Sequence, residues 1–153
     1  MSEVECQLPE FTPEDAEIKE ILRNNRIIAV VGLSTDPDKD SHRVARYLQE
    51  QGYQIVPVNP KAAEILGQKC YASLKEIPFS VDIVDIFRKI EAIPAIVDEA
   101  MAIGAKVVWM QLGLAENRSA RKGMAAGLQV VMNKCLKIEH NRYFSPGKPS
   151  GSN

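Results

Sequence analysis

The sequence predicts an α/β domain: one parallel sheet with helices wound over both of its faces. Three observations carry this. Apolar runs of strand length alternate with segments of helical periodicity, the sequence form of successive βαβ units. The run Ile27-Ile28-Ala29-Val30-Val31 is apolar without a break and rich in β-branched residues, as a central strand covered on both faces must be. With 153 residues, 45% apolar and 25% charged, the chain suits a single domain with an ordinary globular composition.

Taken in order, residues 1–11 form an N-terminal extension and residues 12–144 the domain. A first helix is expected to open near Thr12-Pro13-Glu14-Asp15. Thr12 offers a cap, Pro13 suits the first helical position, and the two acids favour the positive end of the helix dipole. Ile18, Ile21 and Leu22 give its apolar stripe, and Asn24-Asn25 ends it. The central strand follows. Gly32-Leu33-Ser34-Thr35-Asp36-Pro37-Asp38-Lys39-Asp40 is polar and turn-rich, hence a loop. Ser41 opens a second helix that turns Val44, Ala45 and Leu48 inward and stops at Gly52. The second strand is Gln54-Ile55-Val56-Pro57-Val58, with an irregularity expected at Pro57, which cannot donate a ladder bond.

Beyond it the pattern predicts a short helix over 62–66, a short edge strand at Cys70-Tyr71 and a helical turn over 73–76. Val81-Asp82-Ile83-Val84-Asp85-Ile86-Phe87 is the next strand, whose two acids must lie near its ends or find donors. A helix over 94–103 closed by Gly104, the strand Lys106-Val107-Val108-Trp109-Met110, a helix over 117–126 closed by Gly127 and a strand over 128–132 complete the domain. Residues 145–153, rich in Ser, Pro and Gly with no apolar anchor, are expected to be a disordered tail.

Right-handed crossovers wind these units into a three-layer, doubly wound, Rossmann-like sheet of order 3-2-1-4-5-6, the short edge strand counted third. Ligands of such sheets bind beyond the carboxyl ends of the strands, where the winding reverses. The loops over 32–40, 59–61, 87–93 and 111–115 therefore border the expected site.

Charge and leader patterns narrow the function classes. A net charge of −1 and a pI near 6.1 supply no global field for nucleic acid or for an anionic membrane. No apolar run approaches the roughly 18 residues that span a bilayer. The acidic start, Met1-Ser2-Glu3-Val4-Glu5, lacks the basic-then-apolar pattern of a secretory signal. Cys6, Cys70 and Cys135 are odd in number and read as free thiols of a reducing cytosol.

The first loop is the candidate anion site. It joins a buried strand to a helix start, where free amides and a dipole equivalent to about half a positive charge meet. Gly32 lets a phosphate approach the backbone; Ser34, Thr35 and Ser41 add hydroxyls, and Lys39, His42, Arg43 and Arg46 cluster just past it. The competing reading makes Ser41 a plain cap and the cations a solvated face. NAD fits poorly, because its fingerprint wants G-x-G-x-x-G and an acid after the second strand. Here Gly32 stands alone, and Val58-Asn59-Pro60-Lys61 puts a lysine where the acid belongs. The triphosphate loop and the nucleophile elbow are also missing. A nucleotide-like ligand with phosphate to spare and no nicotinamide remains.

Five segments, Val30-Val31-Gly32-Leu33-Ser34, Ser41-His42-Arg43-Val44, Val58-Asn59-Pro60-Lys61, Val84-Asp85-Ile86-Phe87-Arg88 and Val108-Trp109-Met110-Gln111-Leu112-Gly113, follow one another with a characteristic order and spacing. In this the chain resembles the stand-alone CoA-binding domains, which are similar to the N-terminal domain of the succinyl-CoA synthetase alpha subunit. The resemblance runs from about residue 18 to 144, and departs at Asn133-Lys134-Cys135, where members often read Asp-Arg-Cys. It implies coenzyme A or an acyl-CoA in the crevice. Gly32 and Ser34 would approach the pyrophosphate, with Ser41 and Arg43 supporting it, and Leu33, Thr35 and Lys39 are expected among the cofactor-binding residues. Lys61, after the Asn59-Pro60 turn, would meet the adenosine part with its phosphate. Phe87 and Arg88 would border the remaining wall.

Other residues invite sharper stories. Cys135 could be a reactive thiol, even one forming a mixed disulfide with CoA, but a cysteine after a last strand is more often a buried one. His42 and His140 are too isolated for a metal site. Trp109 and Met110 read as core, with Gln111 beyond them in reach of the crevice. Asp82 and Asp85, at odd spacing on a strand, face opposite ways and are no acid–base pair. The favoured reading is a CoA-binding module without chemistry of its own, serving as carrier, sensor or partner of an enzyme. The alternatives are a small enzyme acting on acyl-CoA and a binder of another nucleotide diphosphate. A protein partner or self-association stays open.

Overall fold

A computed structural model describes residues 7–144 of the chain. Helix α1 (Asp15–Asn24) begins later than Thr12 and Pro13 suggest: Glu14 is its N-cap residue, in extended backbone, and no side chain caps it. The residue before a proline is pushed out of helical geometry, so Thr12-Pro13 leads into the helix without belonging to it. Ile18, Ile21 and Leu22 are buried, as their spacing predicts. Strand β1 (Ile27–Val31), α2 (Asp40–Glu50) and β2 (Gln54–Val58) follow.

The expected helix over 62–66 is instead a hairpin, β3 (Glu64–Ile65) and β4 (Gln68–Lys69), turning at Leu66 (φ 54°) and Gly67 (φ 75°). Five residues are too few to offset helix nucleation, whereas two consecutive positive φ values match the twist of a tight hairpin. A 3-10 turn (Leu74–Glu76) leads to β5 (Ile83–Ile86). Another (Ile90–Ala92) runs into α3 (Ile93–Ala102), then β6 (Val107–Met110), α4 (Asn117–Ala125) and β7 (Gln129–Val131). A last helix, α5 (Leu136–Phe144), was not foreseen.

The five-stranded sheet is parallel throughout and ordered β2-β1-β5-β6-β7. The expected order thus holds, except that the third strand shrinks to one parallel bridge, Val58 with Tyr71. Pro57 causes no irregularity and stays in register with Val30. Its carbonyl accepts from Tyr71 N at 3.0 Å, so its missing N–H falls on the sheet edge, where no ladder continues.

Alternation along the strands splits the core in two. Ala29, Val31, Val84, Ile86, Val108 and Met110 pack under α3 and α4. Ile28, Val30, Ile83, Val107 and Trp109 pack under α1, α2 and α5, where Leu136 is wholly buried. Both faces are covered, and the molecule has three layers around one sheet. Of the N-terminal extension, residues 7–10 are tied to the start of α4, since Asn117 Nδ2 donates to Gln7 Oε1 at 3.0 Å and Asn117 Oδ1 accepts from Glu10 N at 2.8 Å. The expected tail over 145–153 lies outside the described residues. Among those described, no helix is long and apolar enough to cross a membrane.

Candidate functional site

Gly32 is the junction of three strand ends. Its N–H donates to Val58 O at 3.0 Å, tying the end of β1 to that of β2. At φ +89° it occupies left-handed backbone, and a Cβ there would lie 2.3 Å from Phe87 O and 2.8 Å from Arg88 Cδ. Only glycine lets the β5 loop close over the β1 loop. Asn59 fastens the third corner: its Nδ2 donates to Leu33 O at 2.9 Å while its Oδ1 accepts from Lys61 N at 2.8 Å.

The first loop is held from within. Ser34 N donates to Ser41 Oγ at 3.0 Å, and Ser34 Oγ accepts from Asp36 N at 3.0 Å. The carbonyl of Ser34 can only accept, so His42 Nδ1 carries a proton and donates to it at 2.8 Å. Ser41 is therefore not the cap of α2; Lys39 holds the N-cap position and no side chain caps the helix. Among the described residues the amides of Asp40 and Ser41 find no acceptor, which leaves the first turn of α2 open toward the crevice. Arg43 bonds Asp38 O and Asp40 Oδ1, keeping one cation at that turn.

Beside this turn lies a cavity of about 690 Å³, lined by Asp40, Arg43, Val44, Phe87, Arg88, Lys89, Gln111, Leu112, Leu114, Cys135, Lys137 and Ile138. It sits at the carboxyl ends of β5 and β6, in the volume range of small-ligand sites. Of the residues singled out in the sequence, Arg43, Phe87 and Arg88 line it and Gly32 contacts two of them. The side chain of Leu33 is fully buried in the core, so only its backbone faces the loop. Thr35, Lys39, Pro60 and Lys61 are exposed and do not line the cavity, nor do the half-buried Ser34 and Asn59 or the buried Ser41.

Of the far wall, the sequence places Gln111 and the loop over 111–115 at the crevice, whereas Lys137 and Ile138 carry no signal there. Gln111 is buried and donates from Nε2 to Asp85 Oδ1 at 2.7 Å. Asp85 lies wholly inside, its Oδ2 without a partner, and burial pushes its carboxyl up to about 8. Asp82, at the opposite edge of the sheet, accepts from the amides of Arg26 (2.9 Å) and Ile27 (3.0 Å) and pairs with Lys106. The two acids are not paired: they are separated along the strand, Asp82 just before β5 and Asp85 within it, and not by facing opposite ways on one strand. Cys135 is half-buried; burial raises its thiol above the usual range against the pull of the Ile138 and Lys137 amides. Asn133, at φ 59°, accepts from Gly113 N at 2.7 Å and its own N–H donates to Leu114 O at 2.9 Å, which fixes the β6 loop. An aspartate in its place would accept equally well. His140 is a packing residue, bonded through Nδ1 to the Tyr47 hydroxyl at 2.9 Å and ringed by Tyr53 and Phe144. The periodic Leu136, His140 and Tyr143 were the signal for α5.

Residues 26–141 match the family described as CoA binding domain. The chain belongs to this CoA-binding domain family. It is similar to the uncharacterized protein YneT of Bacillus subtilis, 44% identical over 128 residues that make up 84% of this chain and 95% of that protein. It is also similar to the alpha subunit of acetate–CoA ligase [ADP-forming] II of Pyrococcus furiosus, 47% identical over 64 residues, 41% of this chain but only 14% of that subunit. A solved structure of a hypothetical protein from Pyrococcus horikoshii superposes with a TM-score of 0.84 at 41% identity, covering 90% of this chain and 97% of that one. The match of this CoA-binding domain spans all five segments quoted above.

Proposed function

We propose that this domain binds coenzyme A or its thioesters at the carboxyl edge of the sheet and performs no chemistry on them unaided. The observation that carries the reading is the Gly32 junction, where an uncapped helix start, a side-chain-free backbone and the cation Arg43 meet one end of a pocket of ligand size. An anion placed there takes the Asp40 and Ser41 amides and the positive end of α2. The pyrophosphate belongs at Gly32, Ser34 and Ser41, with Thr35 and Lys39 on the rim. The adenosine part with its further phosphate lies toward Asn59-Pro60-Lys61, and the pantetheine arm crosses Phe87 and Arg88 into the cavity. Family membership and the acetate–CoA ligase relative support CoA as the nucleotide.

The binding-module reading draws on the engagement of the nearest base and nucleophile. His42 Nδ1 is held by Ser34 O, and Ser41 Oγ by Ser34 N, so the imidazole and hydroxyl are not aimed at one another. A cytosolic carrier, sensor or partner of a CoA-dependent enzyme fits these features. Thermal unfolding with CoA, acetyl-CoA, NAD and ATP tests the reading. A ligand at a hundred times its Kd stabilises the fold by about 2.7 kcal/mol. CoA and acetyl-CoA should raise Tm and NAD should not; an equal or larger shift with NAD would refute the assignment.

A further inference from the structure

The cavity is bordered by two chemically different parts. One lies at the start of α2 and the loop after β5; the other lies at the loop after β6 and the start of α5, a helix that itself packs on α2 through the Tyr47–His140 bond. Arg43, Arg88, Lys89 and Asp40 give the first part its charge. At the second, Leu112, Leu114 and Ile138 line the wall together with the buried Gln111, and Lys137 beside them holds its ammonium 5.7 Å from the Tyr47 ring centroid.

Leu112 is 64% exposed and Ile138 54%, two of five large apolar side chains left open among the described residues. The other three, Leu8, Phe79 and Met124, do not line this cavity. A scattered apolar residue on a surface needs no explanation, but two that converge on one cavity from separate elements mark a surface to be covered. They are also held there: Asn133 fastens the backbone just after Leu112 through Gly113 and Leu114, Leu114 N closes the turn by donating to Gln111 O at 2.8 Å, and the buried Leu136 anchors the helix that carries Ile138. Cys135, between the two elements, is a neutral thiol near neutral pH and adds to the apolar wall as a small hydrophobe. Gln111, oriented by Asp85, is the polar group available where apolar wall begins.

We infer that the β6–α5 end of the cavity is an acyl-chain subsite, which makes the preferred ligand a short- to medium-chain acyl-CoA over free CoA. The inference rests on the CoA reading: phosphates at the Gly32 loop send the thiol end of the ligand across β5 toward this wall. A free thiol would leave Leu112 and Ile138 facing water. An acyl chain attached to the same sulfur covers them, while Gln111 stands beside the thioester and the arm that bears it.

Isothermal titration of CoA, acetyl-CoA, butyryl-CoA and hexanoyl-CoA into the whole protein, and into the double variant Leu112→Ser/Ile138→Ser, tests this. Each fully buried methylene contributes about fourfold in affinity. Over a half-open wall, hexanoyl-CoA should bind about tenfold or more tightly than acetyl-CoA, and the double variant should flatten that series. The comparison is a ratio within each protein, so a general loss of stability or of phosphate binding cancels. If CoA binds as tightly as hexanoyl-CoA, the subsite is refuted and the CoA reading stands. A chain-length series that persists unchanged in the double variant puts the chain elsewhere and also refutes it. If none of the four binds, the CoA reading itself fails, and the subsite with it.

Discussion

Gly32 shows how much of the site hangs on one missing methyl group. Its backbone is left-handed, and the space a Cβ would fill is taken by the Phe87 carbonyl. An L-residue in this conformation costs about 1–2 kcal/mol before any clash is counted. Gly32→Ala should therefore lose roughly 2 kcal/mol or more, about 4–8 °C in Tm for a chain of this size, and lose its response to CoA with it. Unchanged Tm in a thermal melt would show that the β5 loop can retreat freely. Asp85 is the opposite case, a group whose burial works against the fold. Its carboxyl keeps a proton up to about 8, against 3.8 for an unperturbed aspartate. Between those values the unfolded chain has released a proton that the folded chain still holds. Stability therefore falls as pH rises from 3.8 toward about 8, by at most about 1.4 kcal/mol per pH unit, and then levels off. Asp85→Asn removes this dependence, since its Oδ1 can still accept from Gln111. In urea titrations its advantage over the parent should be largest near pH 8 and shrink toward pH 4. An advantage that grew toward acid would mean that Asp85 is ionised and paired in the fold.

Among the elements, those with a strong period were legible and those decided by tertiary contact were not. The stripe of α1 and the β-branched run of β1 announce themselves because one face or both faces are apolar. The first loop was legible as the connection from β1 to α2 from its glycine and turn residues, although its internal wiring was not: Ser41 accepts from Ser34 and does not cap α2. Residues 64–69 misled because Glu64, Ile65 and Leu66 suit a helix, and only the Leu66-Gly67 turn shows otherwise. Helix α5 was missed because its stripe is thin, with Glu139, His140 and Tyr143 buried beside Leu136. That omission hid half of the far wall, since Cys135, Lys137 and Ile138 come from this helix and the residue before it. Leu136 is the residue that pins it, with no exposed surface in the core beneath α1 and α2. Leu136→Ala should cost about 2–5 kcal/mol in urea denaturation and weaken CoA binding in proportion as the wall loosens. That loss of stability with unchanged CoA affinity would show that α5 takes no part in the site.

At the scale of the molecule, the sheet order was legible because crossovers have one hand and the strands one pattern. The order β2-β1-β5-β6-β7 puts the reversal of winding at β1 and β5, and the Gly32 junction and the cavity both stand there. What could not be read was depth: which polar residues sink below the crevice, as Gln111 and Asp85 do, depends on how neighbouring strands are staggered. CoA binding at the carboxyl edge is a matter of place as well as ligand, and an amide-resolved NMR titration with CoA reads both. The amides of Gly32, Ser34, Asp40, Ser41, Arg88 and Gln111 should shift together and saturate. Those at the opposite edge of the sheet, Ile27, Asp82 and Lys106, should stay in place. Shifts centred on that opposite edge, or no shift at CoA concentrations that saturate a binding curve, would contradict it.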